Sequence, residues 1–117
     1  MFNSKKITWH KIAESFAEFP WQPNNMCIAE AGGKKITLAK YKDEVFAFTY
    51  KCPHASGILA EGFIDATGSV VCPLHRYSYN IKNGINTSGE GYRMKMYKIE
   101  QRKDGIYAGW EEGRFWL

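Results

Sequence analysis

The sequence has little of what builds disulfide frameworks or membrane spans. Of 117 residues only three are cysteine: Cys27, Cys52 and Cys72. An odd count argues against a disulfide framework and makes a reducing, cytoplasmic compartment the expectation. The first eleven residues carry three lysines with no apolar stretch behind them, so they do not read as a secretory leader. No run approaches the roughly 18 apolar residues of a membrane-spanning helix. Internal repeats and low-complexity segments are also missing. Histidine is as scarce as cysteine: His10, His54 and His75. One domain over residues 1–117 is expected, able to bury a core but with little left for a deep substrate cavity.

What is present is globular. Hydrophobic residues make up 44% and charged residues 24%, which excludes a disordered chain. The net charge of +4 comes from sixteen Lys and Arg spread from Lys5 to Arg114, a pattern expected of a solvated surface. A nucleic-acid-binding barrel would interleave basic and aromatic residues on one face. No such run exists, so nucleic acid and membrane are both set aside as partners.

Turn residues recur at short intervals: Gly32-Gly33, Asp43, Gly57, Gly62, Gly68, Asn83-Gly84, Gly89, Gly91 and Asp104-Gly105. Alternating runs lie between them. Ile36 and Leu38 alternate with Lys35 and Thr37 until Ala39 blurs the pattern. Val45 to Tyr50 is rich in strand formers. Tyr77, Tyr79 and Ile81 alternate with Ser78 and Asn80, and Met94 and Met96 with Arg93 and Lys95. This spacing predicts an all-β fold, an antiparallel sandwich or small barrel of hairpins. Only Lys11 to Phe19 suits a helical turn or two, stopped by Pro20 and Pro23.

The chemistry concentrates between Cys52 and Tyr79. Cys52-Pro53-His54 and Cys72-Pro73-Leu74-His75 each put a thiol and an imidazole within one turn, stiffened by a proline. The loop residues Ala55-Ser56-Gly57 follow the first motif, and Arg76-Tyr77 the second. Brought together, the two loops present two sulfurs and two nitrogens. Such a set suits a tetrahedral zinc ion or an iron–sulfur cluster. Zinc ribbons favour Cys-x2-Cys knuckles, whereas two Cys and two His are the ligands of a Rieske [2Fe–2S] centre. Thiolates stabilise the iron that stays ferric, and neutral imidazoles ease reduction of the other. Cys27 reads as a buried free thiol on a strand, and His10 as an ordinary strand or surface histidine.

The segments Glu44 to Gly62 and Cys72 to Gly84 resemble the Rieske-type ferredoxins, and a looser likeness runs from about Met26 to Gly109. The resemblance implies antiparallel sheets with a two-loop, cluster-binding subdomain at one tip, about residues 51–80. It implies one [2Fe–2S] cluster per chain, with Cys52 and Cys72 on one iron and His54 and His75 on the other. Three departures stand out. Respiratory members carry an extra cysteine in each loop; here those places hold Gly57 and Leu74, as in the ferredoxin branch. Arg76 stands where the family usually has glycine. The loop that often contains proline reads Ser88-Gly89-Glu90-Gly91, expected to be more mobile.

The same resemblance marks residues that would tune the cluster. In high-potential members a serine two residues after the second histidine, and a tyrosine four after it, donate hydrogen bonds to sulfur. Those positions hold Tyr77 and Tyr79, so one donor of the two remains. Strand alternation points Ser78 the other way. Arg76, with Lys51, is either solvated charge or a positive collar for an acidic redox partner. The aromatics at 77, 79, 107 and 110 are assigned to the core. The implied function is a monomeric electron carrier, not itself an enzyme, between a flavin reductase and an oxygenase. The alternatives are a small subunit of a nitrite-reductase-like complex, or a zinc-stabilised interaction module. Only His10 is left over, too little for a mononuclear iron site of an oxygenase.

Overall fold

The computed structural model describes residues 6–54 and 56–111; Ala55 and both terminal segments lie outside the described residues. The described chain is almost entirely strand. β1 (Ile7–Ala13) is followed by β2 (Met26–Ala31), β3 (Lys34–Tyr41) and β4 (Glu44–Thr49), then by short β5 (Phe63–Ile64), β6 (Ser69–Val71) and β7 (Ser78–Asn80). β8 (Met96–Arg102) and β9 (Gly105–Glu111) close the fold. Six strands form one sheet in the order β1-β9-β8-β4-β3-β2, and β5-β6-β7 form a second. Every strand pairing is antiparallel.

Tight turns set the hairpins. Gly32 and Gly33 have φ of +58° and +77°, the left-handed pair that a two-residue hairpin turn needs. Lys42 and Asp43 adopt the same conformation without glycine, at +50° and +65°. With registers fixed by these turns, Met26 faces Ala39 across β2–β3 and Ala39 faces Phe46 across β3–β4.

The large sheet is buried on both faces, which explains why the alternation blurs at Ala39. Ile36 and Leu38 pack with Cys27, Ala47, Ile106, Ala108 and Trp110 inside the curl of the sheet. Their neighbour Ala39 packs on the opposite face with Met26 and Phe48, against Leu59, Val70, Ile81 and Met94 beneath the small sheet. Thr37 is buried between them, and its hydroxyl donates to the Thr49 carbonyl at 3.0 Å.

Several expectations need correction. Lys11 to Phe19 is helical only in one 3-10 turn at Phe16–Glu18: β1 continues to Ala13 because it pairs with β9. Met94 is buried but lies before β8 rather than in a strand. Tyr107 is not core: its hydroxyl donates to Asp104 at 2.8 Å and the Arg102 guanidinium sits 4.1 Å from its ring. Trp110 and Tyr79 are core, as expected, and Cys27 is buried on β2.

Candidate metal centre

Two loops leave the small sheet and its neighbour on the same side. The first follows β4 and carries Cys52 and His54. It is pinned by backbone bonds: Cys52 N–H to the Gly57 carbonyl at 2.7 Å, Ser56 N–H to the Cys52 carbonyl at 3.1 Å and Leu59 N–H to the Tyr50 carbonyl at 3.2 Å. Its far end is tied from outside. The Asn24 amide donates to the Ala60 and Gly62 carbonyls, both at 2.9 Å, and the Gln22 amide to Ala60, also at 2.9 Å. The second loop joins β6 to β7 and carries Cys72 and His75. Cys72 N–H donates to the Tyr77 carbonyl at 2.7 Å, closing a tight turn. That turn forces His75 and Arg76 to φ of +62° and +59°. The left-handed value at Arg76 gives a physical reason for glycine in that place.

The loops meet at Gly57. A Cβ there would lie 2.9 Å from Cys72 Sγ and 3.2 Å from the Leu74 side chain. The two places that the resemblance assigns to the extra cysteines of respiratory members therefore face each other, filled here by a glycine and a leucine.

The four candidate ligands sort into two layers. Cys52 and Cys72 are 3% and 0% exposed and belong to the core beneath the small sheet. His54 is half-buried and His75 exposed, their ring centroids 5.9 Å apart. Burial, with the Cys52 side chain beside it, pushes the Cys72 thiol up to about 11. The Tyr79 hydroxyl lies 3.2 Å from Cys52 Sγ, and burial drives its proton affinity far above the usual phenol range. Ser78 points the other way and bonds the Thr87 hydroxyl at 2.8 Å. Among the described residues no three His, Cys, Asp or Glu side chains converge on a single-ion position.

One atom tests whether a metal group fits. Nδ1 of His54 is buried with no hydrogen-bond partner. An orphaned buried ring nitrogen is costly unless something else engages it. A metal held by His54 through this nitrogen would answer that need. The donor set of two soft sulfurs within and two imidazoles without fits a two-iron cluster.

The comparisons agree. The Rieske [2Fe-2S] domain model matches residues 8–95. The chain belongs to the Rieske [2Fe–2S] domain family. Its cofactor is thereby a Rieske-type [2Fe–2S] cluster. A curated relative, the anthranilate 1,2-dioxygenase ferredoxin subunit of Burkholderia cepacia, is 39% identical over 54 residues, covering 46% of this chain and 49% of the relative. The matched segments span about half the length of the curated relatives. Among solved structures, the ferredoxin of carbazole 1,9a-dioxygenase from Nocardioides aromaticivorans IC177 superposes with a TM-score of 0.71 at 19% identity, covering 85% of this chain and 95% of that one. A structure assigned as the small subunit of an NADPH nitrite reductase gives 0.70 at 18% identity, covering 86% and 97%. Both likenesses concern the fold.

Three features escaped the sequence reading. Tyr77, assigned to the core, instead stacks on the His54 ring at 3.8 Å. Tyr92, 44% exposed, leans on the same ring at 5.1 Å. The Ser88–Gly91 loop, expected to be mobile, is tied down. The Asn86 side-chain oxygen accepts from Glu90 N–H and from Gly91 N–H, the latter at 3.0 Å, and its amide donates to the Ser78 carbonyl at 3.0 Å. Ser78 N–H donates to Ser88 Oγ at 3.0 Å, and Ser88 donates in turn to Glu90. The Ser88 hydroxyl, and with it the Asn86 amide, donate to the Glu90 carboxylate and hold it below its usual range.

Proposed function

We propose that this chain is a soluble one-electron carrier of the cytoplasm that passes electrons from a flavin reductase to an oxygenase or similar terminal enzyme. Cys52 and Cys72 hold one iron of a single cluster and His54 and His75 hold the other, in a cluster-binding subdomain of about residues 51–80. When bound, such a cluster takes up and gives back one electron at a time. The chain's own residues do the rest. The two loops hold the four donors in place, Tyr79 offers its hydroxyl to Cys52 Sγ, and the exposed His75 presents an edge to a docking partner. Lys51 and Arg76, both exposed and next to ligands, supply positive charge around that edge. The chain carries electrons and catalyses no substrate reaction of its own.

The observation that carries this reading is the layering of a buried sulfur pair under an outer nitrogen pair. The curated relatives named as dioxygenase ferredoxin subunits support the carrier role. The likeness to a nitrite reductase small subunit leaves that second role open on fold alone. Retention of all four candidate ligands favours the carrier. Anaerobically purified protein is expected to be red-brown, with two iron and two acid-labile sulfide per chain and an EPR signal only when reduced. Stoichiometric zinc without sulfide would overturn it and restore the interaction-module reading.

A further inference from the structure

We infer that Tyr77 and Tyr92 form an aromatic clamp that positions the His54 ring and shields it from water, making the two histidines inequivalent. The inference rests on the reading of His54 as a ligand. Three observations carry it. The Tyr77 ring lies 3.8 Å from the His54 ring and within 27° of parallel, a stacked contact. Tyr92 covers the same ring from a second direction, at 5.1 Å and 57°, and lies 6.3 Å from Tyr77. Among the described residues His75 has no such cover: it is exposed, and Tyr77 reaches it only at 6.3 Å, tilted by 56°.

Both tyrosines are built to stay in place. The Tyr77 carbonyl closes the second ligand loop onto Cys72. Tyr92 sits between the Asn86-braced turn and Arg93, which pairs with Ile85 across an isolated bridge. Tyr92 exposes 44% of its surface while its ring leans on His54, so it acts as a lid fixed by its loop rather than as a core residue. His54 is thus the covered member of the nitrogen pair and His75 the open one. An imidazole whose rotation is blocked on two sides keeps Nδ1 aimed inward without a hydrogen bond to hold it.

The clamp has a measurable consequence. Uptake of an electron adds negative charge, and water stabilises that charge better than aromatic rings do. Stripping the cover should therefore raise the midpoint potential, the opposite sign to loss of a hydrogen-bond donor. The test uses the intact ferredoxin and the variants Tyr77→Ala, Tyr92→Ala, Tyr77→Phe and Tyr92→Phe. Iron and sulfide are assayed first. If the wild type lacks them, the ligand reading itself has failed and the clamp falls with it. With clusters present, each Ala variant should shift the reduction equilibrium three- to tenfold toward the reduced state, about 30–60 mV for one electron. Each Phe variant should keep the wild-type value, and Tyr77→Ala should also change the reduced-state EPR line shape as the His54 ring loses its orientation. Should Tyr77→Ala lose its cluster, Tyr92→Ala on its exposed loop decides alone. Unchanged potentials in cluster-bearing Ala variants would overturn the clamp. A shift in the Phe variants as large as in the Ala variants would overturn it too, because the hydroxyls and not the rings would then be responsible.

Discussion

At the scale of single residues, Tyr79 and Cys27 make the clearest contrast. Both are buried, yet only Tyr79 touches a candidate ligand, with its hydroxyl 3.2 Å from Cys52 Sγ. A donor at sulfur stabilises added negative charge. Tyr79→Phe is expected to lower the midpoint potential by tens of millivolts, about 60 mV being tenfold in a one-electron equilibrium. An unchanged midpoint with an intact cluster would reduce Tyr79 to packing. Because Tyr77 occupies the place of the other donor, the wild-type potential should fall near the low end of the roughly −150 to +300 mV range of such centres, as a redox titration would show. Cys27 packs on the far face of the large sheet, where burial pushes its thiol from 9.0 up to about 11. Cys27→Ser should leave the visible spectrum intact. In the folded protein at pH 8, alkylation of Cys27 should be at least about a hundredfold slower than in the unfolded chain, because the thiol is buried from the reagent as well as held protonated. A thiol that holds its proton more tightly when folded costs stability as pH rises above about 9, where the unfolded chain ionises first. Denaturant melts between pH 8 and 10 should show that decline, weakened in Cys27→Ser.

At the scale of elements, the second ligand loop is the more strained one, with two left-handed non-glycine residues against the single Ser56 of the first among the described residues. His75 and Arg76 both occupy the left-handed region, and Arg76 is exposed. Arg76→Gly should stabilise the protein by about 1 kcal/mol, a gain of about 4 °C in Tm for a domain of this size. A loss of stability would show that the guanidinium makes a contact worth more than the strain. Gly57→Ala should act in the other direction. Its Cβ would press on Cys72 Sγ and Leu74, so the two loops must part and cluster retention should fall, measured as iron per chain after dilution. The pairing of the loops was only half legible beforehand. The ligand motifs and the turn glycines are local signals and stood out at once. The ties from Asn24 and Gln22 to the end of the first loop join segments far apart in sequence, and no local pattern announces them. The helical reading of Lys11 to Phe19 held only at Phe16–Glu18, for the same kind of reason. Propensity favoured a turn, but pairing with β9 satisfied the backbone as strand up to Ala13.

At the scale of the whole molecule, two cores share one sheet. The core inside the curl draws on β1-side and β9 residues and includes none of the candidate ligands, whereas the other core contains Cys52, Cys72 and Tyr79. Removal of iron by a chelator should therefore loosen the small sheet and both ligand loops while the large sheet keeps its hydrogen bonds. Amide exchange read by mass spectrometry is expected to speed up over about residues 51–80 and to stay slow in β3, β4 and β9. Uniform loss of protection would mean that the cluster supports the entire fold. Among the described residues no helix is long and apolar enough to cross a membrane. The sequence by itself determined the all-β class, the two-loop motif and the inward face of Tyr79, because each follows from short-range spacing and the two-residue period of a strand. Only the tertiary structure decided that Tyr77 leaves the core to stack on His54, that Tyr92 joins it, and that the Ser88–Gly91 turn is braced by Asn86. Those contacts depend on how two loops fold over one another, and side-chain direction within an irregular loop has no period from which it could be read.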